Sequence, residues 1–94
     1  MEKKQKKVGD GMQQLNLGNI LQQFEQSEFA MQKELTKDEY ILLYGFSEGF
    51  NNFDMMDLME CSRSTMLRLQ RTLLKKVGAK NKIHAVCLFA KGEF

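Results

Sequence analysis

The stretch Cys61 to Val77, CSRSTMLRLQRTLLKKV, decides how the rest of the chain is read. Ser62 or Ser64 can cap the start of a helix, because a serine oxygen accepts a hydrogen bond from a first-turn N–H that has no partner inside the helix. From there Met66, Leu69, Leu73 and Val77 recur at spacings of three and four, the period of a stripe that has to be buried, and Leu74 widens it. The other sides carry Arg63, Arg68, Arg71, Lys75 and Lys76, with no acidic residue between Arg63 and Lys82. A helix that is apolar on one side and cationic on the other is an electrostatic footprint for phosphate.

Charge along the chain sharpens this point. The formal net charge is only +2, but it is unevenly placed. Residues 1–34 balance five lysines against five acids, 35–60 set Lys37 against six acids, and 61–94 hold eight basic residues against Glu93. The partner-facing positive charge therefore lies in the C-terminal third. With 94 residues the chain has material for one small domain and a single core.

Cys61 and Cys87 have neither the close spacing of a redox pair nor the number of a disulfide framework, and both are expected as buried, reduced thiols. No apolar run approaches the ~20 residues of a membrane span, and the lysine-rich start is not followed by a signal-peptide core. A cytoplasmic protein without membrane contact is expected. His84 is the only histidine and no carboxylate or thiol cluster accompanies it, so no catalytic residue, metal, cofactor or small-molecule substrate is expected.

Taken in order, residues 1–11 are lysine-rich and lack an apolar period, which predicts a flexible basic tail. Residues 12–34 predict one amphipathic helix, carried by Leu17, Ile20, Leu21, Phe24 and Met31, with a glutamine-rich outer face; Gly18 moves its firm start towards Asn19. Thr36 followed by Glu39 spells a capping box and starts a helix at Lys37, with Tyr40, Leu43, Phe46 and Leu42 inward and Gly49 at its end. Gly45, inside that helix, predicts a close approach by another group. Asn51 or Asn52 can cap the short helix FDMMDLM. Glu60, Cys61 and Ser62 then turn into the basic helix, which is a helix-turn-helix pattern. After Gly78, a cap at Asn81 leads into KIHAVCLFAK. Its propensity would allow a strand, but no partner strand exists. As a helix it is apolar on nearly every side and needs a burial surface outside its own domain as well as inside.

These motifs together give the segment from Leu35 to about Lys91 a specific likeness. It resembles the DNA-binding domain of LuxR/GerE-type bacterial transcription regulators, the module also carried by NarL/FixJ response regulators. The resemblance is carried by LTKDE at Leu35 to Glu39, Gly49 and Asn52, SRST at Ser62 to Thr65, LLKKVGAKNK at Leu73 to Lys82, and Ala85. It implies an all-α, four-helix domain over residues 35–94, here preceded by an extra N-terminal helix. The third helix of such a domain lies in the major groove and the fourth pairs two protomers.

Carried onto this chain, the resemblance implies base-edge contacts at Leu67, Arg68 and Arg71 and backbone contacts near Ser62, Ser64, Thr65 and Lys75, with Arg63 adding charge. It implies pairing through Ile83, Ala85, Val86, Leu88 and Phe89. The expected protein is a small, sensor-less transcription regulator that binds double-stranded DNA as a homodimer. Leu67 stands where the family usually has lysine, Leu69 where it has histidine, Gln70 where it has an apolar residue and Met56 where it has alanine. Those departures define the alternative: an interaction module that pairs with another transcription regulator and has lost conventional DNA contacts.

Overall fold

Each described helix begins where a short polar side chain can take over a first-turn N–H. The computed structural model describes residues 16–93 and builds them as six helices, with no strand among the described residues. These are α1 (Leu17–Gln26), α2 (Glu28–Lys33), α3 (Lys37–Ser47), α4 (Asn52–Met59), α5 (Arg63–Val77) and α6 (Lys82–Glu93). The protein is all-α. The caps are Asn16, Ser27, Thr36, Asn51, Ser62 and, for α6, Asn81, whose side chain accepts the His84 N–H at 2.8 Å. Thr36/Glu39 and Asn51/Asp54 form reciprocal capping boxes. The open alternatives in the sequence thus resolve to Asn51 and Ser62. Gly49 and Gly78 take φ of 93° and 73° just beyond α3 and at the end of α5, the left-handed conformation anticipated there for Gly49.

The N-terminal amphipathic stretch is two helices and not one. Ser27 ends α1 by donating its N–H to the Phe24 carbonyl at 3.2 Å, and its hydroxyl accepts the Ala30 N–H at 3.0 Å to start α2. A serine side chain that competes for backbone groups in this way interrupts a helix that the apolar spacing alone would carry through. One consequence is that Met31, expected on the buried stripe, is 71% exposed. The basic tail expected over residues 1–11, with residues 12–15, lies outside the described residues.

At the centre stands α3, which packs against α1, α5 and α6. Tyr40, Ile41, Leu42, Leu43, Gly45 and Phe46 are all buried, so this helix is enclosed on most of its circumference. Around it gather Ile20, Phe29, Ala30, Met55, Met66, Leu73, Val77, Ala85 and Phe89 in one core. The N-terminal helices therefore belong to the same core as the helices that follow. An aromatic group closes it: the Phe89 ring meets Phe29, Tyr40 and Tyr44 edge-on at centroid distances of 5.6, 5.7 and 6.2 Å, and Phe24 leans on Tyr40 at 5.5 Å. Gly92 lets α6 pass tightly over α2, since a Cβ there would stand 2.5 Å from the Phe29 ring.

Two thiols and two pairing residues differ from expectation. Cys61 is half-buried and Cys87 is exposed, both free. Ala85 and Phe89, expected on a pairing surface, have no exposure at all; their side chains fill this chain's own core. An element that is apolar all round offers no period by which to separate an inner from an outer face.

Candidate nucleic-acid interface

The turn between α4 and α5 is short and fixed by the backbone. Glu60 adopts the left-handed conformation (φ 53°), its N–H returns to the Asp57 carbonyl and the Cys61 N–H to that of Met56 at 3.1 Å. Ser62 follows at once and caps α5 by accepting the Thr65 N–H at 3.2 Å. The start of the basic helix is thereby set against α4, on which α5 packs.

Met66, Leu73 and Val77 are buried, with Leu69, Gln70 and Leu74 half-buried beside them. This seats α5 with one face on the core and fixes what the opposite face presents. Ser64, Leu67, Arg68, Arg71 and Lys75 recur at three- and four-residue intervals and all are exposed. Arg63 and Ser62 are exposed at the start of the same helix. None of Arg63, Arg68, Arg71 and Lys75 has an ion-pair partner among the described residues. The row is a set of four cations, uncompensated along one helix edge.

The hydroxyls near the helix start differ in what they can offer. Ser62 Oγ donates its proton to Thr65 Oγ1 at 3.1 Å, so it has none left for a phosphate oxygen. Ser64 and Thr65 make no side-chain donation among the described residues. They are the hydroxyls able to donate outward.

Lys76 does not belong to this surface. It reaches back to α3, where its Nζ donates to Glu39 Oε1 at 2.8 Å and to the Glu34 carbonyl at 2.9 Å. The Glu39 side chain is 3% exposed and its Oε1 also accepts the Thr36 N–H at 2.9 Å. A buried carboxylate needs a charge and hydrogen bonds around it, and Lys76 supplies the charge. The absence of acids within α5 did not leave this lysine unpaired.

Two further features of the surface were not visible in advance. Phe53 on α4 is 75% exposed and stands one turn from the exposed Asp57, flanked by Asp54, with Glu60 exposed in the turn that follows. This acidic edge adjoins the basic helix in the chain, so the sign of the surface charge changes between α4 and α5. Gln70 Oε1 is buried with no hydrogen-bond partner, as is Asn52 Oδ1. On α6, Ile83 is 73% exposed, while Val86 and Leu88 are half-buried. An apolar groove of about 330 Å³ runs beside Ile83, between α6 and the Phe46 to Asn51 segment, with Lys82 Nζ 4.7 Å from the centre of the Phe46 ring.

The chemistry of this surface is that of charge and hydrogen-bond donation. No family model, curated sequence or solved structure matches the chain. Among the described residues no group of three or more His, Cys, Asp and Glu side chains is placed to hold a metal ion, and no helix is long and apolar enough to cross a membrane.

Proposed function

We propose that this protein is a transcription regulator of the LuxR/GerE helix-turn-helix type, which lays α5 in the major groove of double-stranded DNA. The single observation that carries the reading is the exposed row Ser64, Leu67, Arg68, Arg71 and Lys75, opposite the core-facing side of a helix capped directly after a three-residue turn. A guanidinium can hold guanine or phosphate through two hydrogen bonds at once, which suits Arg68 and Arg71 to base edges or backbone. Leu67, at 38% exposure, can meet a thymine methyl. The regulator acts in the cytoplasm as a homodimer, with Ile83, Val86 and Leu88 as the pairing residues that keep exposure and Ala85 and Phe89 supporting them from within.

The experiment is selection of bound duplexes from a random pool, followed by affinity measurements over a salt series. Arg71→Ala should lower the slope of log affinity against log salt by about one, the mark of one lost phosphate contact. Arg68→Ala should cost about 1–3 kcal/mol at particular base pairs. If neither substitution changes binding to any duplex at moderate salt, α5 is not the reader.

Leu67 favours a second reading, in which the α5 surface grips another transcription regulator and DNA contact has been lost. Leu67→Lys separates the two. It adds a phosphate contact and raises general affinity if α5 meets DNA, whereas it places an unpaired charge in the contact and abolishes the complex if α5 meets a protein.

A further inference from the structure

The exposed edges of α4 and α5 carry opposite charge. On α4, Phe53 and Asp57 stand four residues apart, and Glu60 follows in the left-handed turn that ends the helix; on α5, read backwards, Lys75 and Arg71 stand four apart with Arg68 one turn further on. All six are exposed. An equal interval on two α-helices means an equal rise along their axes, so antiparallel helices set side by side bring Phe53 and Asp57 into register with Lys75 and Arg71. Asp57 then faces Arg71 and the Phe53 ring faces the Lys75 ammonium, while Glu60, in the turn after α4, adds a second carboxylate at the end of the row towards Arg68.

We propose that the α4 edge of one copy docks on the α5 edge of a second copy of this chain. The occupant is argued from the charge complementarity of the two rows and from Phe53, which at 75% exposure is the largest apolar group on the acidic edge and has a cation opposite it in this register. Carboxylate and guanidinium pair through two hydrogen bonds, which gives the contact direction as well as charge. Because one patch meets a different patch, the contact is heterologous: every added copy leaves one acidic and one basic edge free. Exposed ion pairs are weak and salt-screened, so the association is concentration-dependent and reversible. It covers Arg68 and Arg71, and duplex DNA would therefore compete with it, a consequence that rests on the DNA reading while the self-association does not.

Sedimentation velocity of the full chain tests this without any DNA. At about 100 μM protein the mean mass should rise when salt is lowered from about 500 mM to about 50 mM, where screening lengths grow past the reach of a surface ion pair. Asp57→Arg/Glu60→Arg and Arg68→Glu/Arg71→Glu should each lose that rise when alone, since each then carries two edges of one sign. An equimolar mixture of the two variants should recover it, because each supplies the edge the other lacks. Circular dichroism confirms that both variants are folded, as is expected for changes at exposed positions; Phe53→Ser, which leaves all charges in place, should weaken the low-salt association several-fold. If either charge variant alone keeps the wild-type rise, or if the mixture stays at the mass of its separate components, the docking does not occur. Adding duplex to the wild type then reports on DNA separately: dissolution of the low-salt species supports shared use of α5, and its persistence overturns the competition while leaving the mixing result to decide the contact.

Discussion

The pair between Glu39 and Lys76 should be the most strongly coupled charge interaction among the described residues. It ties the start of α3 to the last turn of α5, across a 2.8 Å contact in which the carboxylate is 3% and the lysine 29% exposed. At that distance, and with an effective dielectric constant of about 20, the attraction is about 6 kcal/mol. Withdrawing the carboxylate from water takes several kcal/mol of that back, which leaves a net coupling of about 2 kcal/mol. Lys76→Met leaves the carboxylate buried with the Thr36 N–H but no charge, and should destabilise by about 3 kcal/mol. Glu39→Gln keeps the Oε1 acceptor for both Thr36 and Lys76 and should cost about half as much. The double variant should be no worse than Lys76→Met alone, since the charge that was left unpaired is gone. Urea unfolding followed by circular dichroism measures all four stabilities; thermal midpoints should move with them by about 4–8 °C per kcal/mol. If the two single losses add to the double loss within about 0.5 kcal/mol, the contact carries no coupling and the placement of α5 on α3 rests on apolar packing alone.

Three other outcomes follow from single observations. Gln70→Leu should stabilise by about 1–2 kcal/mol, because it removes a buried amide oxygen without a partner; an unchanged or lower urea midpoint would mean that water reaches it. Glu34→Gly should raise stability by about 0.5–1 kcal/mol, since Glu34 holds a left-handed conformation (φ 57°) at the end of α2 that costs a side chain about 1–2 kcal/mol; a loss would show that the side chain contributes more than its strain costs. Ile83→Asp should leave the fold intact and weaken homodimer formation at least tenfold, about 1.4 kcal/mol, because Ile83 is the most exposed apolar residue of α6; equilibrium sedimentation at high salt giving an unchanged mass would place the pairing surface elsewhere.

What could be read from the sequence was whatever is decided within one turn of helix. The caps at Thr36 and Asn81, the left-handed Gly49 after α3 and the seat of Met66, Leu73 and Val77 follow from residues close by in the chain. What escaped depends on partners elsewhere in the chain. Lys76 counts as a free cation until Glu39 is folded against it. Phe53 lies in a helix of eight residues, where two turns are too few for a stripe to declare which side is exposed. Ser27 lies inside an apolar spacing that runs on past it, and only its burial and its bond to Ala30 reveal the break. Phe89 and Leu88 are indistinguishable as letters, yet the first has no exposure and the second keeps some.

The position of Phe89 also bears on how the chain reaches this structure. Its ring meets Phe29, from the second helix, and lies in the last, so the aromatic group joins segments from opposite ends of the described chain. Individual helices form in about a microsecond, but contacts between distant segments wait for the intervening chain to close. On the ribosome, where the N-terminal portion emerges first, Phe29 and Tyr40 have no Phe89 to meet until α6 has been made. Until then the helices already synthesised keep an open aromatic seam, and a chaperone or protease in the cell would find that seam exposed until α6 arrives to cover it.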